Sequence, residues 1–273
     1  MEESTPGLAM AVPDLEFTAE RIIPGKTPEA LFREHEERYI FAGQYVAGKD
    51  VLDVACGMGI GTSYLRRAGA TACYGFDVNV PSIQYAKSVY PECKFAVCDA
   101  GGLSLPEESV DVVVSFETIE HLADPAAFLS ECRRVLRPNG LLICSTPDYG
   151  LFRWVPPNPY HVSEMRPDEL LSRVMEKFIC CDLYGQTSVN YPAYVAQAIL
   201  RKRVVPVLDR FGLKGLLQRH RTVHPPAICT DRHFTGCKAP NAKYQVVPYH
   251  RQWHRKQAYV IVAARKPDVR QIP

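Results

Sequence analysis

Beyond residue 48, short apolar runs alternate with segments whose apolar residues recur every three or four positions. Val51–Ala55, Ala72–Phe76, Lys94–Cys98, Val110–Phe116, Leu141–Ser145 and Phe178–Tyr184 read as strands, and Ala258–Ala264 as a last one. Val110–Phe116 is almost uninterrupted, as expected of a strand covered on both faces. Thr62–Ala68, the stretch after Asn79, the stretch after Asp124 and Pro167–Phe178 read as helices. Asn79 and Asp124 suit helix caps, and Pro81 and Pro125 suit first turns. After Asp124, the residues Phe128, Cys132, Val135 and Leu136 fall on one helical face. Pro138-Asn139-Gly140 reads as a turn. Repeated strand–helix units predict a parallel sheet with helices on both faces.

The flanks differ from this pattern. Glu29–Val46 places Leu31, Phe32, Tyr39, Ile40 and Phe41 at mixed helical spacing, while Thr18–Gly25 is irregular with a turn at Pro24-Gly25. Segment 187–256 interrupts the last strand pair. It holds one helix-like stretch near Tyr194–Leu208, then sequence rich in His, Pro and Arg. The expected organisation is one domain over 1–273: a helical segment 1–48, a core 49–186, an insertion 187–256, and the last strand and tail 257–273.

Composition adds three constraints. Apolar content of 47% with 23% charged residues fits a soluble globular protein, and no run of 18 apolar residues suggests a membrane span. Glu2 and Glu3 replace the basic start of a signal peptide. Ten cysteines form no Cys-x-x-Cys pairs, and Cys56, Cys73, Cys98 and Cys144 sit in apolar runs, as reduced core residues of a cytoplasmic protein would. Charge is uneven. Residues 187–256 hold 13 Lys and Arg against Asp209 and Asp231, a net of +11, which leaves −9 on the rest. Such a block suits a partner of opposite sign or a solvated surface.

The candidate chemistry starts after the first strand. Val51-Leu52-Asp53-Val54-Ala55-Cys56-Gly57-Met58-Gly59-Ile60-Gly61-Thr62 runs from a buried strand through a glycine-rich loop into a helix. Glycines there let a ligand approach the backbone, with helix-start amides facing it. A dinucleotide fingerprint needs glycines at relative positions 1, 3 and 6, and Thr62 stands at the third place. Carboxylates end the next two strands: Asp77 is placed to accept ribose hydroxyls, and Asp99 to receive an adenine amino group. Phe116, after the fourth strand, either faces the adenine or packs in the core.

DVACGMGIG, YGFDVN, VCDA, DVVVSFETIEHL and RRVLRPNGLLICSTP, in that order, resemble the motifs of class I S-adenosylmethionine (SAM) methyltransferases. TAERIIPG, HEERYIFA and the later Asn158-Pro159-Tyr160-His161-Val162 are similar to a branch linked with glycan, sugar and natural-product modification. The resemblance implies a Rossmann-like sheet of seven strands, the last reversed, with residues 1–48 capping the cofactor; the Arg- and His-rich segment 187–256 reads as a cover over the acceptor. It implies SAM as cofactor, bound by Asp53, Ala55 (the usual first glycine), Gly57, Gly59, Asp77, Val78, Asp99, Ala100 and Phe116. Arg21, His35 or Tyr39 would meet its carboxylate.

Glu117, Glu120 and His121 follow the fourth strand at spacings of three and four, so on a helical turn they share a face. With His161 they form a candidate catalytic set, and similar Glu-x-x-Glu-His elements hold a metal in some methyltransferases. Glu117, Glu120, His121 and His161 are therefore candidate ligands for Mg²⁺ or Mn²⁺. In the alternative, His121 is a base or part of the pocket floor without any metal. His220, His224, Cys229, His233 and Cys237 match no common zinc spacing. The expected activity is O-methylation of a sugar, glycan or glycosylated natural product, with a small-molecule or glycan acceptor of anionic character. Nucleic acid is not expected, and the oligomeric state stays open. The rivals are N-methylation of an amino sugar or small amine, an NAD-dependent oxidoreductase, and a SAM-binding protein without catalysis.

Overall fold

A computed structural model describes residues 12–13, 15–16, 21–152, 158–187, 210, 245–249 and 257–268. Five strands, β1 (Asp50–Val54), β2 (Ala72–Asp77), β3 (Lys94–Val97), β4 (Val110–Phe116) and β5 (Leu136–Pro147), pair in parallel. Three more follow: β6 (Ile179–Thr187), β7 (Val246–Pro248) and β8 (Gln257–Arg265). The order across the sheet is β3-β2-β1-β4-β5-β8-β6-β7, and β8 runs antiparallel to both β5 and β6. This is the Rossmann-like methyltransferase sheet with its reversed strand, as the resemblance implies.

Among the described residues it has eight strands rather than seven. Val246–Pro248 lies within the segment expected as an insertion and pairs antiparallel with Tyr184–Gln186 at the sheet edge. The rest of 188–256, apart from residues 210, 245 and 249, lies outside the described residues. So do the helix-like stretch near Tyr194 and the His/Cys group from His220.

The helices match the capping chemistry. α2 spans Ile60–Arg67 and α3 spans Val80–Val89, where Asn79 Oδ1 accepts the Ser82 N–H at 2.9 Å. α4 (Pro125–Val135) starts at Asp124, whose Oδ1 accepts two N–H groups at 3.0 Å. α5 (Tyr149–Phe152) is short, and α6 (Pro167–Met175) ends three residues before the sequence pattern suggests. Pro138-Asn139-Gly140 is not a free turn. Leu136 pairs with Val110 and Leu141 with Val112, so residues 137–140 bulge within a continuous β5, with Asn139 at φ 64°.

Alternate strand residues feed two cores, one on each face. Val51, Val112, Val114 and Ile143 pack toward α1 (Glu29–Gly43), α2 and α3. Leu52, Val113, Leu142 and Cys144 pack toward α4 and α6. The parallel strands end at one rim, and β1, lying between β2 and β4, brings the glycine loop to its middle. Among the described residues no helix is long and apolar enough to cross a membrane.

Candidate functional site

The loop after β1 places Ala55, Gly57 and Gly59 at positive φ (58°, 55° and 80°). The glycines serve different ends. A Cβ on Gly57 would meet nothing within 4 Å, so the backbone there borders open space. A Cβ on Gly59 would lie 2.8 Å from Ala86 Cβ and Phe95 Cζ, so that glycine lets α3 and β3 close on the loop. Beyond the loop lies a cavity of about 660 Å³.

The cavity gathers most of the expected cofactor residues. Arg21, Tyr39, Ala55 and Gly57 line it, with Asp77, Val78, Asp99, Ala100 and Phe116 beyond them; His35 lines it too. Asp77 is held by both oxygens: Oδ2 accepts the Gly57 N–H and Oδ1 the Asn79 N–H, each at 2.8 Å. Asp99 Oδ1 accepts the Gly101 N–H at 2.7 Å. Desolvation on the wall, with the Arg38 charge behind it, holds His35 well below the usual imidazole range. A carboxylate would therefore meet a neutral imidazole there, and Arg21 would supply the charge.

Two of the expected cofactor residues do not line the cavity. Gly59 does not line the cavity, for the packing reason above. Asp53 is fully buried beneath the loop, where it accepts Thr62 Oγ1–H at 2.7 Å and Tyr39 O–H at 3.1 Å. Thr62, at the place of a dinucleotide glycine, thus anchors a carboxyl. Burial chiefly raises the Asp53 pKa from 3.8 to about 7, against the lowering effect of those hydroxyls. The folded state therefore binds this proton more tightly than the unfolded chain. Its stabilising contribution is fully present below about pH 3.8, declines as pH rises, and is gone above about pH 7. Urea midpoints measured from pH 4 to 8 should show this decline in the wild type and lack that component in Asp53→Asn.

The cavity wall continues through Glu117, Thr118, His121, Leu122 and Tyr160. Here the expected shared face breaks. Glu117 takes a left-handed backbone, φ 53°, and the 3₁₀ turn begins only at Ile119. Its carboxylate turns to Arg38, with Oε1 2.9 Å from Nη1, and accepts Ser145 Oγ–H at 2.6 Å. Glu120, His121 and His161 do converge, with possible ligand atoms within 4.8 Å of one another. Glu117 is not in that group, so three of the four expected ligands meet. His161 stands beside the cavity, its ring edge-on to His121 at 4.8 Å between centroids and its Nδ1 3.3 Å from Glu164 Oε1.

The tautomer of His121 follows from its neighbours. Nδ1 lies 3.0 Å from the Tyr160 carbonyl, which only accepts, so Nδ1 carries the proton and the neutral ring keeps its lone pair on Nε2. Nε2 lies 4.0 Å from Glu120 Oε1. That oxygen is buried without a hydrogen bond, while Oε2 accepts from Thr146. Burial, then the Glu117 charge, push the Glu120 carboxyl well above the usual carboxylate range. A cation between Glu120, His121 and His161 would satisfy the bare oxygen, so the group fits a metal. The motif pattern missed Arg38, Ser145 and Tyr160. Each nevertheless lies inside an element with family resemblance: Arg38 in HEERYIFA, Ser145 in RRVLRPNGLLICSTP and Tyr160 in Asn-Pro-Tyr-His-Val.

Strand order, reversed strand, glycine loop and rim carboxylates together define the class I SAM-dependent methyltransferase fold. Residues 52–144 match the family described as a methyltransferase domain, Methyltransf_11. A probable SAM-dependent methyltransferase of Mycolicibacterium smegmatis is 41% identical over 160 residues, which cover 57% of this chain and 62% of that protein. A ubiquinone biosynthesis O-methyltransferase of Cereibacter sphaeroides is 33% identical over 141 residues, 45% of this chain and 57% of that one. The chain thus spans about three fifths of the length of these curated relatives. A SAM-dependent methyltransferase structure from Thermotoga maritima, a possible histamine N-methyltransferase, shares the fold at TM-score 0.55 and 13% identity. That match covers 86% of this chain and 92% of the other.

Proposed function

We propose that this protein is a SAM-dependent O-methyltransferase acting on a hydroxyl of an anionic sugar, glycan or glycosylated natural product. The observation that carries the O-methyl reading is His121. It lines the acceptor end of the cavity with Nδ1–H committed to a carbonyl, leaving Nε2 to take a proton from an attacking hydroxyl. In the transfer, the hydroxyl oxygen forms the new C–O bond, the S–CH₃ bond breaks with its pair returning to sulfur, and the hydroxyl proton goes to the base. The chain's contribution is alignment of acceptor and donor, worth several kcal/mol in favourable cases.

The acceptor class rests on charge and placement. Thr187 at the end of β6 pairs with Gln257 at the start of β8. The two ends of the +11 segment therefore lie beside each other, and its Lys and Arg suit phosphate or carboxylate groups. Division into cap, core and acceptor-covering insertion, and a cytoplasmic setting for the free buried thiols, belong to the same reading.

Glu120, His121 and His161 would hold a divalent cation. When bound, it would occupy the His121 Nε2 lone pair in place of the proton and itself lower the acceptor hydroxyl's pKa. The mixed imidazole and carboxylate donors suit Mn²⁺ better than Mg²⁺, which prefers all-oxygen shells. Titration of the purified protein with Mn²⁺, followed by electron paramagnetic resonance, should show one bound ion, lost in His161→Ala. No bound ion in the wild type removes the metal and leaves His121 as base.

Mass spectrometry after incubation with SAM and panels of sugar and nucleotide-sugar acceptors tests the activity. Methylation of an amine instead of a hydroxyl rejects the O-methyl reading. Calorimetry showing affinity for NAD and none for SAM rejects the cofactor. SAM binding without turnover on any acceptor leaves a binding protein.

A further inference from the structure

α1 carries Arg38 on its buried side, wholly out of water. Its guanidinium lies over the Tyr259 ring, 4.4 Å from the centroid. Burial works against its charge, and Glu117, then Tyr259 and Glu34, together more than offset that. A buried cation is costly unless a full opposite charge faces it. Glu117 is that charge, and its pose is fixed from three sides: the strained backbone, the Ser145 Oγ–H at 2.6 Å, and Arg38 Nη1 at 2.9 Å. Arg38 lies behind it and does not line the cavity, whereas Glu117 does. The pair therefore presents its negative end to the bound molecule.

The sheet order says which part of that molecule arrives there. Asp99 follows β3, Asp77 ends β2, Ala55 follows β1 and Glu117 follows β4, and these strands are neighbours in that order. With the adenosine at Asp77 and Asp99, the rest of SAM passes the Ala55–Gly57 loop and reaches the β4 tip.

We infer that Glu117, held by Arg38 and Ser145, is a charge-selective element of the donor site that favours the sulfonium of SAM over the neutral thioether of S-adenosylhomocysteine. The inference rests on the SAM reading above. The two ligands share adenosine, ribose and amino-acid groups. They differ in one methyl and one positive charge, which vanishes when the S–CH₃ pair returns to sulfur. A fixed carboxylate beside that sulfur attracts the donor and loses this hold on the spent product. Its use is in turnover, since release of product limits many enzymes. Arg38 is the positioning residue: it keeps the carboxylate aimed without entering the cavity.

Calorimetry on the full chain with SAM and with S-adenosylhomocysteine reads this directly. Glu117→Gln should weaken SAM binding roughly tenfold more than S-adenosylhomocysteine binding, a change of about 1.4 kcal/mol in their ratio. Glu117→Gln also strands Arg38, so the double variant Arg38→Met/Glu117→Gln, which removes both members of the pair, is measured beside it. The same selective loss is expected there, whereas a merely structural role would weaken both ligands alike. Equal loss for both ligands in whichever variant folds overturns the inference. A wild type that binds neither ligand overturns the SAM reading instead.

Discussion

Asp77→Ala should lower SAM affinity by about a hundredfold, roughly 2.7 kcal/mol, the size expected for charge-assisted hydrogen bonds lost at one carboxylate. Two effects add. The carboxylate lines the cavity, and the proposed SAM site gives it the ribose hydroxyls to accept. It is also the clasp that ties the Gly57 amide to the start of α3 through Asn79, with two 2.8 Å bonds. Without it, the loop loses its fixed distance from α3 just where a ligand must meet backbone. Asn is a poor substitute, because both oxygens accept backbone N–H groups and an amide NH₂ would face one of them with a donor. Asp77→Asn should therefore lose affinity as well, by less than Asp77→Ala. Asp77 lies at a strand's exposed end, so the sheet should still form. Calorimetry with SAM, beside a circular dichroism melt, measures both; affinity within threefold of wild type would remove Asp77 from the cofactor site.

What the sequence discloses and what it hides divide along a physical line. Asp77, Asp99, the Asn79 cap and the glycine loop are local features. Each depends on a strand end, a turn or a helix start, and chain neighbours determine those. Arg38 depends on packing. In Glu29–Gly43 the charged residues Glu34, Glu36, Glu37 and Arg38 are all buried, contrary to the solvent face that such a run suggests. Glu36 pairs locally with Arg33 at 2.7 Å, but other partners come from afar: Glu117 after β4 for Arg38, and Gln186 of β6, whose Nε2 donates to the Glu34 backbone carbonyl at 2.9 Å.

Glu117 shows the same limit from the other side. Its spacing to Glu120 and His121 promised one helical face, which needs right-handed backbone throughout. The left-handed turn at Glu117 sends the side chain to Arg38 instead. Similarly, Pro138-Asn139-Gly140 has the composition of a turn. The pairing of Leu136 with Val110 nevertheless keeps it inside a strand, as a bulge.

Gly61→Ala should destabilise the fold by about 3 kcal/mol, the upper range for overpacking a core. In a domain of this size that is roughly 6–12 °C in melting temperature. Gly61 reads in the sequence as one more ligand-facing glycine of the loop. Its larger task is to leave space for α1, because a Cβ there would fall within the Tyr39 ring, against Cζ, Cε1 and Cε2. The ring has little freedom to yield. Its hydroxyl lies 3.1 and 3.2 Å from the two oxygens of Asp53, and its plane stands edge-on to Phe116 at 5.0 Å between centroids. Burial and the adjacent Asp53 push the Tyr39 phenol well up, so it stays a donor. A methyl at Gly61 must therefore displace α1 or break the Tyr39–Asp53 bonds, leaving a buried carboxyl with Thr62 alone. Because Tyr39 and His35 on α1 both line the cavity, cofactor affinity should fall along with stability. The cause is separable from a general loss of packing. If the steric conflict with Tyr39 is responsible, Gly61→Ala combined with Tyr39→Leu should melt higher than Gly61→Ala alone, a strongly non-additive cycle. Additive losses in that cycle, or a Gly61→Ala protein melting within a degree of wild type, would show that α1 is not latched through this glycine.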